Sequence, residues 1–424
     1  MARILFLAHR IPYPPNKGDK IRSWHFLQYL IKRHKVHLGF FVDDKNDLKH
    51  VDFLRANCAS LEYSYASPLR QKISSLKGLL TGTSLTENAY PSGSMRKFTT
   101  QLIQDRQIDA VFLYSAATHT FLPKTMCDIP IITDFVDVDS AKWEAYAENN
   151  TWPLSAIYRR EAVKLASFEG LVADRSATTI LVSDDEATLM RKRLAVRQDA
   201  YTGTTNQTTD AVRPIGIPNG VDSGVFSPGK YPDKPKTGRL IFTGAMDYAP
   251  NIEAVVWFAD QVFPRLQQDY PEMEFLIAGR PVAPAVQKLD QRAGVNVIGA
   301  VDDMAETIAN AAIVVAPLLT ARGIQNKVLE GMAMAKPVVA TTAANEGINA
   351  PDRDALWIAD NAEAFVDAVK ALMDPHAADK LGQSARQFVL ENFNWENSCE
   401  TLNTLLGKVV TPDGEINGGP IDDL

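Results

Sequence analysis

Lys327 and Glu330 stand three residues apart within AIVVAPLLTARGIQNKVLEGMAMAKPVVAT, residues 312–341. An apolar strand ends at Pro317, a loop carrying Gly323 follows, and apolar spacing predicts a helix from about Gln325 to Ala335. Residues three apart share a helix face. This face lies near the helix N-terminus, where free N–H groups and positive partial charge suit a phosphate. Lys327 adds a cation, and the Glu330 carboxylate can accept two hydroxyl hydrogen bonds, as a ribose diol requires. The same two residues could instead form an ordinary surface ion pair, a contact worth little.

In FLIAGRPV (275–282) an apolar strand ends in Gly279, where backbone can approach a ligand, followed by Arg280. A guanidinium there can grip a diphosphate with two parallel N–H bonds. Standing alone, Arg280 would read as a salt-bridged turn residue; Lys327 as a partner gives it weight as an anion ligand. The loop IPYPPNKGDKIRSW (11–24) puts Gly18 and Asp19 where a strand-to-helix loop meets its helix, with Asp19 in position to cap it. Lys17, Lys20 and Arg22 surround that point, and residues 1–40 hold eight Lys or Arg against one Asp. Such an asymmetry suits an anionic ligand or an anionic membrane surface, or else is a solvated basic face. Neither G-x-G-x-x-G nor G-x-x-x-x-G-K-[ST] occurs here, which excludes the usual dinucleotide and P-loop readings.

TDFVDVDSAKWEAYA (133–147) clusters Asp134, Asp137 and Asp139 at the end of a buried strand. Carboxylates there can act as acid/base groups or hold sugar hydroxyls. Capping of the helix that begins near Ser140 is the role expected of Asp139. A divalent metal would find only Glu144 in addition, so no metal site is expected. PNGVD (218–222) is a tight Asn-Gly turn. His9, His25, His34, His37 and His119 follow no metal-ligand spacing and read as structural or surface residues.

The elements that must position these residues alternate. Strands are expected at Arg3–Ala8, Val36–Val42, Ala110–Tyr114, Ile129–Asp134 and Thr178–Ser183, then at Arg239–Thr243, Glu274–Ala278, Val295–Ile298, Ala312–Ala316 and Pro337–Thr341. Several are apolar at consecutive positions, as strands covered on both faces must be. Helical spacing joins Ile21, Trp24, Leu27, Leu30 and Ile31, and again Ala254, Trp257, Phe258, Val262 and Phe263. The economical architecture is α/β, with two doubly wound Rossmann-like domains facing across a cleft and ligands at the carboxyl ends of the strands. Arg193–Pro214 reads as an inter-domain connection or long surface loop, Lys230–Gly238 as a second turn-rich stretch, and 411–424 as a flexible tail.

Length agrees with that organisation, since 424 residues at about 150 per domain make two domains or three. A formal net charge of −7 argues against a nucleic-acid binder. Three cysteines, Cys58, Cys127 and Cys399, lie far apart in no C-x-x-C pair, so a reducing compartment is expected. The apolar opening MARILFLA is broken by Arg10 and prolines, too early for a signal peptide, and no apolar run is long enough to span a bilayer. A cytoplasmic chain, peripheral on the inner membrane face, is the expectation.

Taken together, the segments resemble GT-B glycosyltransferases of the large retaining family 4, over nearly the full chain. The resemblance rests on the Gly18 loop, IPNGVD (217–222), FTGAMDYAPNIEAVVWF (242–258), IAGR (277–280), KVLEGMAMAKPVV (327–339) and FNWENSCETLNTLL (393–406). PYPPNKGDKIRSWHFL and DFVDVDSAKWEAYA further resemble the sugar transferases of bacterial exopolysaccharide and exosortase gene clusters. The resemblance implies an acceptor-side domain at 1–212 and a donor-binding domain at 213–392. A helix at 393–410 would cross back to the first domain.

It also implies that Glu330 holds the ribose and that Arg280 with Lys327 holds the diphosphate. Backbone at Gly323, Ile324 and Gln325 would cap the phosphates, beside the Gly279 turn. VIGAVDDM (297–304) would line the base, with Val301 as a main-chain contact, and Gly18 would let the first-domain loop approach the donor. Two departures stand out. Arg322 occupies the position eight before Glu330 where relatives carry a second glutamate, and Val136 stands where they carry a histidine, leaving Asp137 as the nearest polar substitute.

The implied reaction moves a sugar from a nucleoside diphosphate sugar to a hydroxyl of a saccharide or lipid-linked saccharide, with retention and without metal or other cofactor. A nucleotide-sugar epimerase or hydrolase, or a non-catalytic nucleotide-binding scaffold, would be the competing readings.

Overall fold

The computed structural model describes residues 1–15, 18–123, 129–202, 214–231, 235–280, 282–321 and 323–410. Lys17, Cys127, Arg322 and the tail from 411 lie outside the described residues.

The chain forms two compact units, one of Met1–Ile217 with the segment beginning at Cys399, the other Pro218–Ser398. In the first, β1 (Arg3–Ala8), β2 (Lys35–Val42), β3 (Ser60–Tyr65), β4 (Ala110–Tyr114), β5 (Ile131–Val136), β6 (Thr178–Leu181) and β7 (Ile215–Gly216) build a sheet in the order β3-β2-β1-β4-β5-β6-β7. In the second, β8 (Arg239–Thr243), β9 (Glu274–Ala278), β10 (Val295–Gly299), β11 (Ile313–Ala316), β12 (Val338–Ala340) and β13 (Trp357–Ile358) follow the order β10-β9-β8-β11-β12-β13. Every strand pairing in both sheets is parallel. The continuous apolar runs have the cause expected of them: in β1, Ile4 to Ala8 are all fully buried, with helices over both faces. Strand order reverses at β1/β4 in one sheet and at β8/β11 in the other, and in such sheets ligands sit at the carboxyl ends beside the reversal.

The ten strands expected from apolar runs are all present, within two residues at each end. Three others escape that reading. β3 is an edge strand of alternating polarity, SLEYSY, and β7 and β13 are two residues long, too short to leave a pattern. The expected loop at Arg193–Pro214 is corrected over its first ten residues, where the helix Asp184–Thr202 continues. Three acidic residues in its first turn and Ser183 Oγ, accepting from the Glu186 N–H, start that helix well. Arg193 and Arg191 then anchor it to Glu144 and to the Pro214 carbonyl.

Capping is also corrected. Asp19 lies inside the first turn of the helix Gly18–Ile31 rather than before it, accepting from Arg10 and from the N–H of the next residue, Lys20. Asp139 is likewise the first helical residue of Asp139–Glu148, after Val138. That helix start is satisfied from other elements: buried Glu169 accepts from Ser140, and Glu186 accepts from the Val138 N–H at 2.7 Å.

Asp134 is no acid/base group. It is fully buried and accepts from Arg22 Nε at 2.7 Å, while Arg22, equally buried, also donates to the Ile217 carbonyl at 2.8 Å. The pair thereby ties the helix Gly18–Ile31 to β5 and to the last residue before the second unit. Removing one partner of a buried pair strands the other charge. Asp134→Ala is therefore expected to destabilise the first unit by about 3–5 kcal/mol. Urea unfolding of the full chain measures this, and a change under 1 kcal/mol would show the pair to be dispensable.

Candidate functional site

The helix Asn326–Ala333 begins where the sequence places it, with Gln325 as its cap residue after the Gly323 turn. Its buried face, Val328, Leu329, Met332 and Ala333, packs into the core of the second unit against β11 and β12. That leaves Lys327 and Glu330 on a less buried side. No ion pair joins them among the described residues, so the surface-pair reading fails. Lys327 Nζ instead lies 3.3 Å from Gln325 Oε1 and 5.3 Å from the centre of the Phe242 ring.

Burial lowers the Lys327 ammonium to about 8, with Glu330 opposing. Burial raises the Glu330 carboxyl to about 7, with Lys327 opposing. The Glu330 side chain has no hydrogen-bond partner among the described residues. A cation and an acceptor are thus held partly desolvated at a helix start, each short of compensation. That is the condition of a site awaiting a polar ligand.

The wall beside them is backbone. Gly279 has φ +130°, and a Cβ there would stand 1.8 Å from the Gly244 carbonyl oxygen. Gly244, at φ +152°, would meet Lys327 Cε at 3.3 Å if it carried a Cβ. The carboxyl ends of β8 and β9 and the lysine are therefore packed at side-chain-free distance, with Gly244 N donating to the Ala278 carbonyl at 3.0 Å. Gly244 was missed by sequence reasoning, although its signal matches that of Gly279: a glycine immediately after an apolar strand. Arg280 follows Gly279, is exposed, and makes no hydrogen bond or ion pair among the described residues, so the salt-bridged-turn alternative does not hold. Ile324 packs on the core and lies 3.6 Å from where a Gly347 Cβ would be; Val301, after β10, also packs on the core.

In the first unit the carboxyl ends at the β1/β4 reversal carry a second cluster. His9 and Arg10 follow β1, Asp43 follows β2, Tyr114 ends β4 and Asp137 follows β5. The His9 ring stacks on Tyr114, centroids 5.7 Å apart, and meets Tyr90 edge-on. Arg10 bridges Asp19 at 2.7 Å and Asp43 at 3.1 Å. Burial would raise the Asp19 carboxyl, but His9 and Arg10 hold it well below the usual carboxylate range. Burial pushes the Tyr90 phenol up to about 12. Lys142 bridges Asp137 at 2.7 Å and Asp139 at 3.1 Å.

Four buried atoms of this cluster, His9 Nδ1, Asp43 Oδ1, Tyr114 Oη and Asp137 Oδ1, have no partner among the described residues. Val136, just before Asp137, has φ +69°, an unusual conformation for a β-branched residue that marks local strain at this edge. Of the residues singled out from sequence, Asp137 belongs to this cluster, and Gly18 starts the helix that carries Asp19. His9 was read as structural or surface, and Arg10, Asp43, Tyr90 and Tyr114 were missed, all being scattered through the chain and brought together only by strand order. His34, His37 and His119 are structural: His34 bonds Asn403, His37 bonds Ser60, and His119 is buried.

Residues 237–375, which span all six strands of the second sheet, match the family described as glycosyl transferases group 1. No curated protein matches the sequence. Among solved structures, sucrose-phosphate synthase from Thermosynechococcus elongatus superposes with a TM-score of 0.63 at 15% identity, covering 96% of this chain and 99% of that one. Anabaena HepE in complex with UDP-glucose gives 0.61 at 14% identity over 96% and 100%. WaaG, a glycosyltransferase involved in lipopolysaccharide biosynthesis, gives 0.58 at 12% identity over 94% and 99%. The fold is the two-sheet GT-B fold.

Proposed function

We propose that the chain transfers a glycosyl group from a nucleoside diphosphate sugar to a hydroxyl acceptor, with retention at the anomeric carbon. The observation that carries this reading is the pair Lys327 and Glu330, buried at a helix start without an ion-pair contact among the described residues, beside the glycine wall of β8 and β9. The match of residues 237–375 to glycosyl transferases group 1 supports it, as does the likeness to HepE, a protein solved with UDP-glucose.

In this reading Lys327 and Arg280 neutralise the diphosphate as it leaves. The N–H groups around Gly323, Ile324 and Gln325 add the helix-start field, and Gly279 keeps backbone within reach. Glu330 accepts from the ribose hydroxyls, and Val301 meets the base through its main chain. Fixed cations answer the leaving-group charge, so no metal or other cofactor is required, and the leaving phosphate takes the acceptor's proton. The first unit is the acceptor side. Its cluster presents carboxylate, imidazole and phenol groups that suit sugar hydroxyls, with Asp137 Oδ1 unpaired among the described residues.

A saccharide or lipid-linked saccharide at an anionic membrane, in the making of exopolysaccharide or another bacterial surface glycan, fits this chemistry. It also fits the resemblance of PYPPNKGDKIRSWHFL and DFVDVDSAKWEAYA to such transferases.

The test is the thermal unfolding of the full chain with EDTA present, against UDP, GDP, ADP and their sugar conjugates. A ligand at a hundredfold its dissociation constant adds about 2.7 kcal/mol to the native state. One base is expected to stand out, and no response to any nucleotide would overturn the proposal. Glu330→Gln weakens the acceptor toward the ribose and should loosen binding about tenfold. Transfer that stops on chelation would refute the metal-free reading.

A further inference from the structure

We propose that the cluster at the carboxyl ends of the first sheet selects an acceptor sugar that carries no acid group and meets it with hydroxyl or amine donors. The inference rests on the first unit being the acceptor side. It also sets aside, for this end of the sheet, the anionic ligand expected from the basic residues 1–40.

Those basic residues build no patch here. Arg3 and Lys35 open β1 and β2, and Lys32 and Arg33 stand just before β2, at the opposite end of a parallel sheet. Lys20 bonds Asp47 at 2.6 Å and Arg22 bonds Asp134 at 2.7 Å, both inside the fold. Arg10 does join the cluster, where Asp19 and Asp43 share it. Lys142 is shared in the same way by Asp137 and Asp139. Four carboxylates therefore face two cations, and the local charge is negative in a region too buried for solvent to screen it well. Asp19, Asp43 and Asp137 are half-buried, so a sugar can approach them from solvent.

The unpartnered atoms lead to the same ligand. Asp43 Oδ1 and Asp137 Oδ1 are buried without partners among the described residues, and an ionised carboxylate can only accept. Tyr114, 1% exposed, stacks its ring on His9 and leaves its hydroxyl without a partner among the same residues. Burial pushes that phenol well above its usual range. Asp134, Asp19 and Asp137 add to the rise against Arg22, so the hydroxyl lies within the field of the cluster. Buried acceptors without donors are unfavourable, and a ligand bringing N–H or O–H groups relieves this. A uronate or sugar phosphate would bring further acceptors and like charge to the same place, which is how a site refuses a wrong partner.

The test is the dissociation constant of methyl glycosides for the full chain, read by saturation-transfer NMR at pH 7. Gluco, galacto and manno series are used, each with a hydroxyl, an ammonium or a carboxylate at the sixth carbon. In the series that binds, the carboxylate is expected to be at least about tenfold weaker than the hydroxyl, and the ammonium at least as tight as the hydroxyl. Asp43→Asn leaves Arg10 its contact with Asp19, and Asp137→Asn leaves Lys142 its contact with Asp139. Each variant should fold and bring the carboxylate sugar to within about threefold of the hydroxyl one. Three results would overturn the proposal: a carboxylate sugar bound as tightly as its hydroxyl parent, no binding in any series, or a preference that neither variant alters. The nucleotide-induced shift in unfolding temperature reads the donor site separately. Its absence with the sugar preference intact would fault the transfer reading alone, and its presence with carboxylate sugars bound equally would fault this one alone.

Discussion

Lys327→Ala is expected to lower glycosyl transfer by about a hundred- to a thousandfold, the loss typical when one fixed group that stabilises transition-state charge is removed. Its ammonium is held near the Gly244 backbone and the Phe242 ring with no carboxylate in ion-pair contact among the described residues, so an arriving diphosphate would be its first close counter-charge. The same geometry sets a pH dependence.

The lysine titrates at about 8 in the free protein, and the ligand favours its charged form. Affinity for a nucleoside diphosphate should therefore fall as pH rises through 8, by at most about tenfold per pH unit. Glu330 titrates at about 7, and its ionised form is the better acceptor, so affinity should also fall below that value. The two groups interact, and the optimum belongs to the pair. Lys327→Arg keeps its charge at all these pH values and should abolish only the alkaline fall. Calorimetric titration of the dissociation constant between pH 6 and 9.5 reads this directly, and a flat profile for the unaltered chain would remove Lys327 from the phosphate site.

Gly279→Ala should be among the most damaging single methyl additions in the second unit. Its Cβ would lie 1.8 Å from the Gly244 carbonyl oxygen, and φ at +130° is foreign to alanine. Neither strand end can yield without breaking the Gly244 N–H bond to Ala278 or the Gly279 N–H bond to the Gly299 carbonyl. A loss of more than about 3 kcal/mol is expected, with nucleotide binding lost as well. Gly229→Ala is the control, since nothing lies within 4 Å of an added Cβ there. An unfolding curve for Gly279→Ala that overlays the parent would show that β8 and β9 can part freely.

Much of this was legible in the residues because buried parallel strands leave continuous apolar runs, and a helix start after a glycine turn leaves a short, ordered signature. Both sheets and the Gln325 helix follow from those rules. What escaped depends on neighbours far along the chain. Asp134 looks like a catalytic carboxylate until Arg22, 112 residues earlier, is found against it. Asp139 looks like a cap until Glu169 and Glu186 are seen meeting the same N–H groups. His9, Asp43 and Tyr114 become one cluster only when β1 is known to lie between β2 and β4. Local rules find single elements, while the identity of a polar partner is a property of sheet order.

The division of the chain has a consequence for its synthesis. Residues 218–398 form one unbroken unit, whereas the other unit is assembled from both ends of the chain. Leu402, Leu405, Leu406 and Val409 are buried in the helix that returns, and His25 and His34 bond to it through Cys399 and Asn403. On a ribosome the inserted unit can therefore mature while the portion made first still lacks its final helix. The sheet of β1 to β7 thus reaches its full packing only after the second unit has been made.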